Sequence, residues 1–346
     1  MIRVLVIDDS AVMRTFLRRV VESQPDMELA GVVSDPLLAI DRIRQSAPDV
    51  ITLDVEMPRM NGLDFLRKLM AVRPLPVIMI SSLTQSGADA TVRALELGAV
   101  DYFPKPASLE QLESVGPDIA EKIRAAAQAR VSRRRLAVAS QDAAVRPAGP
   151  ARAAGLKSAV AIGASTGGVE ALRVVLAALP DNLPPILIAQ HMLPGFTAPF
   201  ARRLDSICKL RVKEAQDGEE AFAGVAYIAP GGRHLLLARQ GARYELRVTD
   251  DPPVNRHRPS VDTLFRSMVE AAGPGAIAVM LTGMGADGAQ AMLELRTAGG
   301  RTIAQDEASC VVFGMPRQAI ALGGAQEVLA LDDIAARLVE LCADTP

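Results

Sequence analysis

Three residue types that act together in hydrolysis occur in the second half of the chain, each after a short apolar run. Ser165 lies in a Gly-Ala-Ser-Thr-Gly-Gly turn, His191 follows Gln, and Asp287 precedes Gly in a second glycine-rich turn. The three runs span residues 159–162, 186–190 and 277–281. If these runs are parallel strands, their carboxyl ends meet at one edge of a sheet. A hydroxyl, an imidazole and a carboxylate there predict a nucleophile, a general base and the acid that orients the base.

The glycine-rich turn at 163–168 has an alternative interpretation as a phosphate-binding loop. A Walker loop requires Gly-Lys-Ser/Thr, and this turn contains no lysine. A dinucleotide fingerprint requires glycine where Ser165 stands and an acid where Gln190 and His191 end the next run. A nucleotide-binding output domain is therefore the alternative function, and a nucleotide titration would distinguish the two.

The first half of the chain carries a cluster of acidic residues after predicted strands. Asp8 and Asp9 follow the run 2–7, and Asp54 follows the run 50–53. Acidic residues in such positions are also typical helix caps. Three carboxylates at one sheet edge repel each other and favour a divalent cation, and hard oxygen ligands suit Mg²⁺.

Two further polar residues follow the remaining predicted strands of the first half. Ser81 ends the run 77–80, and Lys105 comes shortly after the run 100–103. A hydroxyl and an ammonium beside a metal-bound carboxylate suit phosphoryl transfer onto that carboxylate.

Alternation of apolar strands with amphipathic helices predicts the fold class as α/β, with two doubly wound parallel-sheet domains. Glycine and proline punctuation at 226–249 predicts hairpins inserted into the second domain. We expect a first domain at 1–125, a linker rich in Ala, Arg and Pro at 126–157, and a second domain at 158–346.

Composition narrows the function classes. The 346 residues carry a formal charge of −2, so no overall charge favours nucleic acid. With only three histidines, a His-rich metal site is nearly excluded. No apolar run reaches the roughly 20 residues needed to cross a bilayer. Three unpatterned cysteines fit a reducing compartment. We expect a cytoplasmic protein without membrane insertion.

Two basic segments leave alternatives open. The linker contains three consecutive arginines at 133–135, which a transcriptional regulator could use on DNA, although a solvated linker is the simpler interpretation. Arg256, His257 and Arg258 precede a helix predicted to begin near Ser260. They predict either an exposed basic surface or attraction to an acidic partner.

Residues 1 to about 125 resemble the receiver domains of two-component response regulators. The matching strings are Val-Ile-Asp-Asp-Ser at 6–10, Leu-Asp-Val-Glu-Met-Pro at 53–58, Ser-Ser at 81–82 and Lys-Pro at 105–106. The resemblance implies that Asp54 accepts the phosphoryl group and that Mg²⁺ binds Asp8, Asp9, Asp54 and the backbone carbonyl of Glu56. It further implies that Ser81 and Lys105 sense the phosphoryl group and that Tyr102 rotates with it.

Residues 158 to about 329 resemble the catalytic domain of chemotaxis protein-glutamate methylesterases, the CheB family. The matching strings are Ile-Gly-Ala-Ser-Thr-Gly-Gly at 162–168, Gln-His-Met at 190–192, Asn-Arg-His-Arg-Pro-Ser-Val-Asp at 255–262, Leu-Thr-Gly-Met-Gly-Ala-Asp-Gly at 281–288 and a thirteen-residue string at 304–316. The resemblance implies Ser165 as nucleophile, His191 as base and Asp287 as its orienter. It places the oxyanion hole at the N–H groups of Thr166 and Met284.

Together the two resemblances imply phosphorylation-regulated hydrolysis of glutamate methyl esters on chemoreceptors, and deamidation of receptor glutamines. The receiver would need Mg²⁺, and the esterase reaction would need no cofactor. The expected partners are methyl-accepting chemoreceptors and the histidine kinase of the pathway, with no nucleic acid. A monomer is expected.

Overall fold

The computed structural model describes residues 1–82, 84–106, 109–131 and 158–343, except for the side chains of Gln85 and residues 109–114. The chain divides into two compact units, Met1–Ser140 and Gln141–Pro346. The predicted linker at 126–157 lies outside the described residues from 132 onward. None of the helices in the described ranges is both long and apolar enough to cross a bilayer.

The first unit contains a five-stranded sheet in the order β2-β1-β3-β4-β5, with every neighbouring pair parallel. The strands are β1 (Ile2–Ile7), β2 (Met27–Val33), β3 (Val50–Asp54), β4 (Val77–Ser81) and β5 (Asp101–Pro104). The helices are α1 (Ala11–Glu22), α2 (Pro36–Ser46), α3 (Gly62–Val72), α4 (Gln85–Glu96) and α5 (Leu109–Ala127). The strand order reverses between β1 and β3, which places a crevice at the carboxyl ends of those two strands.

Local sequence explains why these elements form. Every residue of β3 and β4 is buried, as expected for parallel strands covered on both faces. Side chains that follow the strands cap the helices, because an uncapped helix leaves its first N–H groups without partners. Asp35 accepts from the Leu37 N–H at 2.7 Å to begin α2, and Asn61 accepts from the Leu63 N–H at 2.9 Å to begin α3.

The second unit contains a seven-stranded parallel sheet in the order β14-β13-β12-β6-β7-β9-β8 and a separate hairpin of β10 and β11. The strands are β6 (Ala159–Ala164), β7 (Ile186–Gln190), β8 (Arg211–Glu214), β9 (Val225–Ile228), β10 (His234–Gln240), β11 (Arg243–Thr249), β12 (Ala276–Met280), β13 (Arg301–Gln305) and β14 (Glu327–Leu329). The helices are α6 (Gly168–Ala178), α7 (Thr197–Asp205), α8 (Val261–Ala272), α9 (Ala289–Thr297), α10 (Met315–Ala321) and α11 (Leu331–Ala343). The strand order reverses at β6, so the crevice of this sheet lies at the ends of β7, β6 and β12.

The fold class predicted from sequence, two parallel-sheet α/β domains, is confirmed. The prediction of hairpins at 226–249 is wrong for its first part. β9 lies inside the main sheet, parallel to β7, and only β10 and β11 form a hairpin. Each β9 residue is buried, and a continuous apolar run of this kind is typical of a parallel strand rather than of a half-exposed hairpin strand.

Candidate functional site

The backbone brings the Ser165 turn and His191 together at one sheet edge. Ala164 at the end of β6 pairs with Gln190 at the end of β7, so Ser165 and His191 each follow a paired residue. The His191 N–H donates to the Ala164 carbonyl at 3.0 Å, and the Ser165 N–H donates to the Thr282 carbonyl at 3.0 Å. Thr282 comes just after β12, so the third strand of the crevice is tied to the same turn.

The turn that carries Ser165 is tight. The Gly168 N–H donates to the Ser165 carbonyl at 2.7 Å, and Gly167 takes a left-handed φ of 79° that favours glycine. Gln190 lies beneath the turn and donates from Nε2 to the Ser165 carbonyl at 2.9 Å. On the other side, a Cβ placed on Gly283 would lie 2.7 Å from Ser165 Cβ, so only glycine fits there. The serine backbone is therefore fixed from two directions.

His191 and Asp287 form a hydrogen-bonded pair, although they are far apart in the sequence. His191 Nε2 lies 2.9 Å from Asp287 Oδ2. A carboxylate accepts, so Nε2 carries a proton, and in the neutral ring the lone pair is then on Nδ1. Within the described ranges, Nδ1 is buried and has no hydrogen-bond partner. That ring atom is the one that can accept a proton, as a general base must.

Ser165 Oγ makes no hydrogen bond to His191 among the described residues. The contact between a nucleophile and its base is often looser in the absence of substrate, and it tightens on binding. The structure therefore places Ser165 and His191 on adjacent chain segments without a closed hydrogen bond between them.

Asp287 is held as an anion at the start of α8. Ser260 Oγ donates to Oδ1 at 2.8 Å, and the Val261 N–H donates to Oδ2 at 2.6 Å. Burial alone would raise the pKa of Asp287, but the His191 bond and charge, followed by donors such as the Val261 N–H, hold the pKa well below its usual range. A helix N-terminus also favours a negative charge. The carboxylate stays ionised and can stabilise an imidazolium at His191.

Two residues near this pair were not predicted from sequence as part of the site. Asn255 Nδ2 donates to Asp287 Oδ1 at 2.8 Å and to Asp262 Oδ2 at 2.6 Å, so one amide joins two buried carboxylates. The ring of His257 stacks on the ring of His191, with centroids 3.7 Å apart and planes 11° apart. The string at 255–262 carried part of the family resemblance, but it assigned no role to Asn255 or His257. The basic character of 256–258 predicted only an exposed surface or attraction to an acidic partner.

The two N–H groups predicted to bind an oxyanion belong to the serine turn itself and to the loop after β12. Thr166 is buried, and its carbonyl accepts from Thr282 Oγ1 at 3.0 Å. Met284 is 37% exposed, and its N–H has no hydrogen-bond partner in the part of the chain that the structure describes. The neighbouring Gly283 N–H is occupied by the Val312 carbonyl at 3.1 Å, so Gly283 does not compete with Met284 as a donor.

The acidic cluster of the first unit lies at the carboxyl ends of β1 and β3. Ligand atoms of Asp8, Asp9 and Asp54 all lie within 4.8 Å of one another. Lys105 Nζ lies 2.6 Å from Asp54 Oδ2 and 3.8 Å from Asp8 Oδ2. Burial raises the pKa of Asp54 to about 7. The Lys105 hydrogen bond lowers this pKa, and the nearby Asp8 charge raises it further. Burial also raises the pKa of Asp8.

These carboxylates fit a divalent cation. Asp8 Oδ2 is buried and accepts no hydrogen bond from the described residues. Raised pKa values mean that the two buried carboxylates are poorly compensated by Lys105 alone. An oxygen-rich, partly open cluster of this kind suits a hard cation such as Mg²⁺.

The other predicted receiver residues lie in or next to strands of the same sheet. Ser81 is buried at the end of β4, and its Oγ donates to the Gly87 carbonyl at 3.0 Å. Tyr102 is buried in β5, with Lys122 Nζ 5.6 Å from its ring centroid. The Glu56 N–H donates to Asp54 Oδ1 at 3.2 Å, which places the Glu56 backbone beside the cluster.

Fold and geometry define the class: a two-domain α/β protein with an acidic crevice in one sheet and a Ser, His and Asp crevice in the other. The CheB methylesterase family matches residues 160–338, and the response regulator receiver domain matches residues 4–115. The chain belongs to the CheB methylesterase family and carries a receiver domain. The family resemblance seen in the sequence is confirmed.

Individual relatives are similar in sequence to this chain over nearly its whole length. A protein-glutamate methylesterase/protein-glutamine glutaminase of Pectobacterium atrosepticum is 54% identical over 340 residues, covering 98% of this chain and 96% of that protein. One of Chromohalobacter salexigens is 55% identical over 347 residues, with the same coverage. The crystal structure of the Thermotoga maritima CheB methylesterase catalytic domain matches with a TM-score of 0.53 at 44% identity, covering 54% of this chain and 99% of that chain. The alternative of a nucleotide-binding output domain is not supported by these matches.

Proposed function

We propose that this protein is a phosphorylation-regulated protein-glutamate methylesterase that also deamidates glutamine, acting on chemoreceptors. The observation that supports it most is the His191–Asp287 hydrogen bond at the sheet edge where Ser165 follows β6. The names of the relatives supply the substrate class.

In the proposed reaction, Ser165 Oγ attacks the carbonyl carbon of a γ-glutamyl methyl ester while His191 Nδ1 takes the hydroxyl proton. The tetrahedral intermediate collapses, the bond to methoxide breaks, and His191 returns the proton so that methanol leaves. Water then attacks the acyl-serine with His191 as base, and the glutamate carboxylate and free Ser165 are regenerated. An amide substrate follows the same steps with ammonia as the leaving group.

The N–H groups of Thr166 and Met284 are the proposed oxyanion hole. The Met284 N–H has no partner among the described residues, and Thr166 directly follows the nucleophile. Each such donor contributes roughly 3 kcal/mol to transition-state stabilisation in comparable sites. The step uses no metal or cofactor in this proposal.

In the receiver, Asp54 is the proposed phospho-acceptor, with the pathway's histidine kinase as donor. Asp8, Asp9, Asp54 and the Glu56 carbonyl would hold Mg²⁺, which supplies charge neutralisation for an incoming phosphoryl group. Lys105 lies beside the Asp54 carboxylate and would pair with the bound phosphoryl group. The buried Ser81 and Tyr102 would respond to that change.

The proposed domains are the receiver at 1–125, the linker at 126–157 and the esterase at 158–346, in a cytoplasmic monomer. We further propose that the receiver inhibits the esterase until Asp54 is phosphorylated. Phosphorylation adds charge at a buried position, and a bias of a few kcal/mol is enough to shift a two-state equilibrium.

Methanol release from chemoreceptors that carry labelled methyl esters tests this function. Wild-type protein should release methanol, and release should increase on addition of Mg²⁺ and acetyl phosphate. Asp54→Asn should keep the basal rate and lose the increase. A wild-type protein that releases no methanol in either condition would contradict the proposal.

A further inference from the structure

The stacked pair of His191 and His257 is the feature of the second unit that the proposed reaction does not use. Their rings are nearly parallel, 11° apart, with centroids 3.7 Å apart. This separation is van der Waals contact between flat faces, so His257 covers one side of the proposed general base.

Such a cover can restrict the orientation of a general base. Among the described residues, the His191 ring makes one hydrogen bond, from Nε2 to Asp287. A single hydrogen bond at one corner leaves the ring free to tilt about that bond, and tilting moves Nδ1 away from the serine. A flat group against one face restricts that tilt without taking up either ring nitrogen.

His257 can act as a fixed surface because its own loop is braced. The N–H of His257 donates to the Val254 carbonyl at 2.9 Å, and the Val254 N–H donates to the His257 carbonyl at 3.1 Å. His234, which is fully buried, ties the two ends of the loop together. Its Nδ1 accepts from the Ser260 N–H at 3.2 Å, and its Nε2 donates to the Pro252 carbonyl at 3.1 Å.

The same loop also holds the acid. Asn255 and Ser260 both donate to Asp287 Oδ1, and each does so at 2.8 Å. One braced segment, residues 252–260, therefore contacts both His191 and Asp287. A shift of the segment would move both partners of the base–acid pair together.

We propose that His257 is a positioning residue: its ring face holds His191 in the plane in which Nδ1 can accept the serine proton. This inference rests on the proposed esterase function. It requires a flat side chain at position 257 and no chemistry of its ring nitrogens.

Two substitutions of similar size separate the flat face from the ring nitrogens. His257→Phe keeps a planar ring without nitrogen, and His257→Leu keeps apolar bulk without a plane. Methanol release from labelled chemoreceptors is measured as kcat and KM for both variants, together with the thermal unfolding midpoint. Misplacing a catalytic group by about 1 Å can cost on the order of 100-fold in rate. We expect His257→Leu to lower kcat by roughly 10- to 100-fold with KM and the midpoint unchanged, and His257→Phe to retain kcat within about threefold.

The outcomes distinguish this inference from the function on which it rests. An inactive wild type would remove the esterase proposal itself. With an active wild type, a full rate in His257→Leu would overturn the positioning role. An equal loss in both variants would also overturn it, because the ring nitrogens would then be required.

Discussion

Asn255 donates both hydrogens of its side-chain amide to buried carboxylates, one of them Asp287 Oδ1 at 2.8 Å and the other Asp262 Oδ2 at 2.6 Å. Without this donor, the negative charges of the two carboxylates would be less well stabilised. Asn255 also takes a left-handed φ of 52°, which asparagine and glycine tolerate better than other residues. The proposed triad acid thus depends on a residue of another loop for its charge state.

Replacing Asn255 tests that dependence with two graded variants. Asn255→Gly suits the backbone and removes only the donor, and a lost hydrogen bond to a buried charge costs about 1.5–3 kcal/mol. Asn255→Asp has nearly the same shape but adds a third carboxylate, so it should be worse for both stability and kcat. Both the rate of methanol release and the stability to urea should decrease from the wild type to Asn255→Gly and further to Asn255→Asp. Equal behaviour of the Gly and Asp variants would show that charge repulsion is not the cause.

The acidic cluster predicts a pH dependence that a metal reverses. The pKa of Asp54 is raised to about 7 by burial, from an ordinary value of 3.8. Between these values the folded protein binds a proton that the unfolded chain has released, so stability without metal falls as pH rises through about 4 to 7. With EDTA at pH 8, Asp54→Asn should therefore stabilise the receiver, by on the order of 2 kcal/mol. Mg²⁺ should stabilise the wild type at pH 8 far more than at pH 5.

Calorimetry of the full chain at both pH values, with EDTA and with Mg²⁺, measures this effect. Asp64→Asn is a matched control, because Asp64 is a carboxylate on the exposed surface of α3. A destabilised Asp54→Asn in EDTA at pH 8, or an Asp64→Asn variant with the same gain, would contradict the account.

The close approach of Gly283 to the nucleophile predicts a specific loss of activity. A Cβ at this position would lie 2.7 Å from Ser165 Cβ and would also meet the sulfur of Met315. Gly283→Ala should therefore displace Ser165 and lower kcat by roughly 100-fold. Gly241→Ala in the β10–β11 hairpin is the control, since a Cβ there meets open space at a φ of 60°. The control variant should lose about 1 kcal/mol of stability and keep its activity. A normal kcat in Gly283→Ala would show that the close approach of Gly283 does not fix the position of Ser165.

Inhibition by the receiver predicts that its removal raises the basal rate. Deletion of residues 1–140 should give methanol release that is faster than that of the unphosphorylated full chain and insensitive to acetyl phosphate. The Thermotoga maritima catalytic domain was crystallised by itself, which supports using the deletion as a folded fragment. A folded fragment with a lower rate than the intact chain would argue for activation rather than inhibition.

Much of the fold could be predicted because buried parallel strands are continuous apolar runs. The predicted runs 2–7 and 186–190 match β1 and β7 residue for residue, and the helix predicted to begin near Ser260 is α8, which Ser260 caps. Strand ends then indicated where polar side chains converge. β9 was mistaken for a hairpin strand because the nearby Pro-Gly-Gly and Gln-Gly signals mark turns without saying which sheet a strand joins.

The roles of Asn255 and His257 could not be predicted from local pattern. Their contacts depend on the loop after β11, which packs against the sheet edge. The hydrophobic pattern of the sequence does not indicate where such a loop packs. The basic neighbours of His257 suggested a surface instead. One signal was available: Ser260 begins α8, and a helix N-terminus aimed at the sheet edge is a site for a carboxylate such as Asp287.

Hydrolysis by Ser165 is the central claim, and methanol release by Ser165→Ala measures it most directly. The variant removes a single oxygen and should unfold at the same temperature as the wild type. Loss of a serine nucleophile lowers kcat by about 10⁶-fold in a comparable triad, so we expect a loss of that order in methanol release. Release by Ser165→Ala at a rate close to that of the wild type would contradict the account.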